Sequence, residues 1–330
     1  MEKKLLLFSS FLLARDTLSM KKKIILLASL FVVACGNTFA QQDKLITHFM
    51  YDKMSINPGS TGIEDGICAT SLYRNQWDKI SGAPNSGILN VEANLTRFFP
   101  GGVGISFFHD AIGFNRQNNL LLNYSFPIRL GSAGTLGIGI GAGMVNFGMS
   151  PDWVPPTTNV DSKLPTEFSA TNLDLNFGIY FKGSSDYYVG ISSTHLNESL
   201  MTQKVGNIDQ KYQMARHYYL MGGKKFRDIW GGDLDAQALV RTDLVKFSSD
   251  ISVRYIYNDK LYGGLTYRTV DAVGVMLGYI PMKNFTIGYS YDLTTNKLAS
   301  ASRGSHEILL KYCYHLPKPP MSKAIHPRWL

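Results

Sequence analysis

Beyond Ala40 the chain has no run of the roughly 20 apolar residues that a membrane-spanning helix needs. Cysteine is scarce. Cys35, Cys68 and Cys313 are too few for a disulfide-dense scaffold or a four-thiolate metal site. His48, His109, His195 and His217 stand singly, without ligand spacing, and the His306-Glu307 pair that begins a zinc-protease pattern meets Leu310 where the second His belongs. The glycines of "GTLGIGIGAGMVNFG" fall at every second residue, a pattern that lets a strand be closely approached and lacks the spacing of a phosphate cradle. No catalytic, cofactor or metal site is therefore assigned, and the chain is read as a non-enzyme. No stripe of basic residues exists either, which excludes nucleic acid as the leading partner.

What is present begins with an export signal. Met20-Lys21-Lys22-Lys23, the apolar run from Ile24 to Ala34 and Thr38-Phe39-Ala40 form the basic, apolar and small-residue parts of a signal peptide. Residues 1–40 are set aside as an upstream extension plus this signal. Val32-Val33-Ala34-Cys35 resembles a lipobox, so lipidation at Cys35 stands as the alternative to cleavage after Ala40. Removing residues 1–40 takes away six Lys/Arg and two Asp/Glu, so 33 and 25 become 27 and 23, and the formal charge falls from +8 to +4.

The mature chain repeats with a period of two. In "NFTIGYSYDL", Phe285, Ile287, Tyr289, Tyr291 and Leu293 oppose Thr286, Gly288, Ser290 and Asp292, and "NLDLNFGIYFK" and "ILNVEANLT" alternate in the same way. Fourteen strand-like segments are read, near 65–77, 86–97, 101–110, 118–130, 134–148, 171–182, 186–194, 211–224, 232–242, 249–257, 261–268, 272–280, 284–293 and 304–314. Connections after even segments are mostly tight, with "FRDIWGG" the longest, whereas those after odd ones include "MSPDWVPPTTNVDSKLPTEFSA" and "LNESLMTQKVGNIDQ". A soluble sandwich has no reason to sort its loops by parity, but an outer-membrane barrel does. The expected fold is thus all-β, a transmembrane antiparallel up-and-down β-barrel of about 14 strands over residues 65–314, embedded in the lipid bilayer. Residues 41–64 are read as a periplasmic N-terminal segment, either facing a partner or tucked into the barrel bottom, and 315–330 as a periplasmic tail. Long loops would then be extracellular.

"QQDKLITHFMYDKMSINPGSTG" followed by "LYRNQWDKISGAP", with the closing "SRGSHEILLKYCY", resembles the PorP/SprF family of the type IX secretion system and its gliding machinery. Asp43-Lys44 and Gly59-Ser60 depart from the family pattern. The resemblance implies an outer-membrane barrel of a Gram-negative bacterium. Such a barrel assists export and surface attachment of large cell-surface proteins, such as adhesins, through their type IX C-terminal domains, and contacts periplasmic ring lipoproteins. A porin or transporter for a small solute is the alternative, and an outer-membrane hydrolase a third reading.

Candidate site residues come from the inward faces. Arg74, Glu92, Asp174, Lys182, Asp235, Arg241, Arg254, Arg268, Asp292, Glu307 and Lys311 all fall there, and both signs suit mutual pairing better than ion selectivity. With Gln76 beside Arg74 and Trp77 at the rim, Arg74, Glu92, Asp174, Arg254, Arg268, Glu307 and Lys311 form the candidate lumen network, holding an inner plug or an incoming partner segment. Tyr73 and Trp77 are placed in an aromatic girdle. Cys68 and Cys313 should both point inward across the seam between first and last strands; whether they bond as a disulfide depends on register.

Overall fold

In the computed structural model of the protein the described residues are 44–151, 167–205 and 208–315. The signal region with Cys35, most of the Pro-bearing connection around Asn159 and the tail beyond His315 lie outside the described residues. Sixteen strands are formed among the described residues. They are β1 (Ile67–Asn75), β2 (Asn85–Asn94), β3 (Gly102–Ile112), β4 (Asn115–Arg129), β5 (Gly134–Met149), β6 (Phe168–Gly183), β7 (Tyr187–Thr194), β8 (Leu200–Val205), β9 (Ile208–Gln213), β10 (His217–Ile229), β11 (Gly232–Thr242), β12 (Phe247–Tyr257), β13 (Leu261–Arg268), β14 (Ala272–Met282), β15 (Phe285–Thr294) and β16 (Ser305–Tyr314). Fourteen of them close into a barrel in which β1 pairs with both β2 and β16, and β7 pairs with β10. Only β8 and β9 stand apart, as a two-stranded hairpin.

The period-two pattern sorts the side chains as a membrane barrel requires. Leu122, Ile140, Leu173, Ile191, Leu265 and Leu277 point outward and are exposed, while Asn123, Asp174, Ser192, Thr266 and Ser290 point inward and are buried. Such an outside would be costly in water and is at home in lipid. No helix among the described residues is long and apolar enough to cross a membrane.

Loop parity holds with exceptions. At the rim where β1 begins and β16 ends, called here the terminal rim, β10 and β11 are joined by residues 230–231 alone, because "FRDI" continues the strand. At the opposite rim lie the long connections 150–167 and 195–216, but also the tight turns 113–114 and 269–271. The eighth barrel strand was expected over 211–224 and is found at His217–Ile229; residues 208–213 pair instead with 200–205. The hairpin has its own buried contacts, since Met201 and Met214 pack with Val145, Phe147 and Phe168, and Tyr212 stacks on Phe147 at 3.7 Å between centroids. Those partners sit on the inward faces of β5 and β6, so the hairpin folds inward at the long-loop rim.

Candidate functional site

Residues 44–64 lie inside the barrel. The expectation of a periplasmic segment gives way to its tucked-in alternative, because this stretch bonds to inward-facing groups around the whole wall. It consists of a 3-10 turn at Phe49–Tyr51, one helical turn at Lys53–Ile56 and a second 3-10 turn at Pro58–Ser60. Turn chemistry sets the last of these. The Asn57 side chain accepts from the Gly59 N–H at 2.9 Å, and Pro58 pre-sets the backbone between them.

The same Asn57 ties the turn to the wall. Its amide nitrogen donates to the carbonyls of Ile179 at 3.0 Å and Ile191 at 3.2 Å, on β6 and β7. Ser125 donates to the Gly59 carbonyl at 2.9 Å and Ser192 to that of Ile56 at 2.8 Å. Glycine makes this approach possible. A Cβ on Gly139 would strike the Pro58 backbone, one on Gly178 the Asn57 side chain, and one on Gly137 the Gly59 carbonyl. Gly137 and Gly139 of the β5 run, with Gly178 on β6, are therefore the floor on which the Asn-Pro-Gly turn rests.

Nearer the long-loop rim the plug is held by charge. Arg74 on β1 reaches Asp292 on β15 at 2.7 Å and Glu307 on β16 at 3.1 Å, and all three side chains are almost fully buried. Glu307 also accepts from the backbone N–H of Thr47 at 2.8 Å and of His48 at 2.7 Å, and the His48 ring nitrogen Nδ1 lies 2.8 Å away. Thr47 donates to Asp292 at 2.7 Å and accepts from Arg74 at 3.1 Å. Arg268 extends the cluster to Asp292 at 3.3 Å and to Asp250 at 2.7 Å; Asp250 in turn pairs with Arg241, which donates to the Lys44 carbonyl at 2.8 Å. Charges from six wall strands thus engage one another and the plug backbone. In so dry a place a single missing partner leaves its mate uncompensated.

Of the residues picked from sequence, Arg74, Arg268 and Glu307 come together, joined by Asp292. The others hold the plug separately or not at all. Arg254 pairs with Asp235 at 2.7 Å and donates to the Tyr51 hydroxyl at 2.6 Å, while Glu92 accepts from the Gly62 N–H at 2.8 Å. Lys311 pairs with Glu64 at 3.4 Å, and this ammonium, with Lys53 and Lys182 beyond it, holds the Glu64 carboxyl below the usual range. Asp174 stands apart at the foot of the hairpin, 2.8 Å from the His195 ring. Gln76 is buried at the start of the first long-rim loop. Trp77 is not a strand residue: β1 stops at Asn75, Trp77 has a left-handed φ of 55° and its backbone N–H donates to Ser305 Oγ at 3.1 Å, so Tyr73 alone of the expected girdle pair is an outward-facing strand residue. Sequence reasoning missed the parts played by Thr47, His48 and Asp250; the turn signal at Asn57-Pro58-Gly59 and the close-approach reading of the β5 glycines pointed only to the turn itself.

At the terminal rim Cys68 and Cys313 are bonded, directly opposite in the β1–β16 register with Cα atoms 4.0 Å apart. Their bond closes the seam covalently.

A family profile described as "Type IX secretion system membrane protein PorP/SprF" matches residues 38–312. No curated protein matches. Among solved structures the chain is similar to the CymD monoaromatic hydrocarbon channel, at 11% identity, 81% of this chain, 93% of that one and a TM-score of 0.48. It is also similar to the P. putida toluene transporter TodX, at 11% identity, 79% and 93% coverage and a TM-score of 0.44. The KdgM porin follows at 11%, 75%, 99% and 0.35. At such identities and scores these likenesses carry no argument about what this barrel handles.

Proposed function

The chain belongs to the PorP/SprF family of type IX secretion system membrane proteins, barrels of the outer membrane, and from that premise we propose that it serves export as a sealed, non-enzymatic barrel. In this reading it assists surface attachment of large cell-surface proteins, including gliding-associated adhesins, through their type IX C-terminal domains. The terminal rim faces the periplasm and its ring lipoproteins, and the long-loop rim faces outward after signal-peptide removal. The observation that supports this over a solute channel is the filled lumen: residues 44–64 occupy it and are pinned by Arg74, Asp292 and Glu307. A solute pathway needs open, wet space where the plug now lies.

The test is a gene deletion with comparison of surface proteomes. A small set of large proteins bearing type IX C-terminal domains should leave the surface and accumulate inside the cell; an unchanged surface proteome would overturn the export role. In the same strain an epitope tag near Asn159 should be reached by antibody on intact cells. A tag detected only after permeabilisation would invert the proposed orientation.

A further inference from the structure

Below the plug, at the terminal rim, the lumen widens into a cavity of about 450 Å³, within the size range of ligand pockets. Seven Lys and Arg side chains line it against four carboxylates. All four carboxylates are already engaged. Asp235 is taken by Arg254 and Glu64 by Lys311, Glu92 accepts from the plug backbone, and Asp186 is gripped at 2.5 Å by Arg227, which lies outside the cavity. The cations are not matched in the same way. Lys182 and Lys283 have no carboxylate within ion-pair distance among the described residues, and the Lys53 ammonium rests 4.1 Å from the centroid of the Tyr188 ring; Glu64, whose carboxyl feels both Lys53 and Lys182, is paired with Lys311.

Those three lysines come from different parts of the fold: the plug helix, the inward face of β6 and the β14–β15 turn. A row of separated positive charges suits several carboxylates along a chain better than one compact ion. The sequence that continues from this rim adds to the same sign, since residues 316–330 contain Lys318, Lys323 and Arg328 and no Asp or Glu. The protein's own tail is therefore a poor occupant. A cleft of one sign with low-dielectric walls focuses its field on the opposite charge.

We infer that this cavity receives an acidic chain segment of a partner protein, with Lys53, Lys182 and Lys283 as the carboxylate-binding groups. The proposed placement of this rim in the periplasm fixes only the partner's compartment; binding itself does not depend on it. Rim charges of this kind govern encounter and salt dependence.

The probe is a fluorescein-labelled octaglutamate peptide, titrated by anisotropy into the purified full chain in neutral detergent. Saturable binding is expected, weakening about tenfold or more as salt rises from roughly 50 to 200 mM. The combined Lys53→Gln, Lys182→Gln and Lys283→Gln protein should lose about tenfold in affinity, whereas Lys79→Gln, Lys246→Gln and Lys297→Gln at the opposite rim should lose none. Equal binding by both variants would overturn the inference. So would inorganic phosphate competing as well as octaglutamate, which would mark a small-anion site. Octaglutamate with a thiol-reactive end gives an independent reading: it should label Lys283→Cys and spare Lys246→Cys, and the reverse would also overturn the inference. None of these outcomes depends on export, so the export role and the acidic partner can fail separately.

Discussion

Replacing Arg74 by Ala is expected to cost about 3–5 kcal/mol, the loss typical of removing one member of a buried charge network. The guanidinium bridges two carboxylates and a hydroxyl, and its loss leaves Asp292 with Arg268 as its one arginine and Glu307 with none, in a site with almost no solvent. Lysine should not rescue it, because a point charge on a flexible stem cannot reproduce the planar fork that spans both acids. The effect should centre on the plug. Trypsin should spare Lys53 in the intact protein and cut there in Arg74→Ala, and the temperature at which the folded band converts on a gel should fall. Arg227→Ala supplies the contrast, since its pair with Asp186 is exposed and such pairs are worth about 1 kcal/mol at most. Equal losses from the two substitutions would mean that the buried network does not hold the plug.

The second large effect belongs to the seam. Cys68 and Cys313 are separated by 245 residues, so their bond ties almost the whole barrel into one covalent loop. By loop-closure reasoning such a bond is worth about 2–5 kcal/mol. Reduction, or Cys68→Ser with Cys313→Ser, should lower the conversion temperature by several degrees while leaving the barrel closed, because the β1–β16 ladder persists through its other residue pairs. Alkylation of the folded, membrane-inserted protein should find neither thiol free. Two labelled thiols would rule out the bond and its share of the stability.

Much of this fold is legible in the sequence. Strict alternation in "NFTIGYSYDL" and "NLDLNFGIYFK" identifies a sheet with unlike surroundings on its two faces, and the sorting of loop lengths by parity makes that sheet a barrel wall. That parity also points Arg74, Asp292 and Glu307 inward, and Cys68 and Cys313 with them, but leaves the register that brings the two thiols together to the structure. What alternation cannot do is distinguish a strand in the wall from one that leaves it. Residues 200–210 of the β8–β9 hairpin read as loop and residues 211–213 as wall, and only the hairpin's contacts with Val145, Phe147 and Phe168 set it apart. The plug was harder still. Its cues are local turn signals, Asn57-Pro58-Gly59 above all, while its partners lie on strands far along the chain, such as Glu307, which is 260 residues from Thr47. Trp77 failed for a backbone reason, since its left-handed φ cannot be read from an aromatic at a strand end.

Single-channel recording in planar bilayers tests most directly whether the chain seals its own barrel. Fourteen strands enclose more space than side chains alone fill, so a barrel of this size without a plug should pass ions. The intact protein should be nearly silent, and a protein lacking residues 44–60, shown to be folded by its heat-modifiable band, should give discrete openings. Conduction by the intact protein equal to that of the shortened one, or silence from both, would contradict a lumen sealed by residues 44–64.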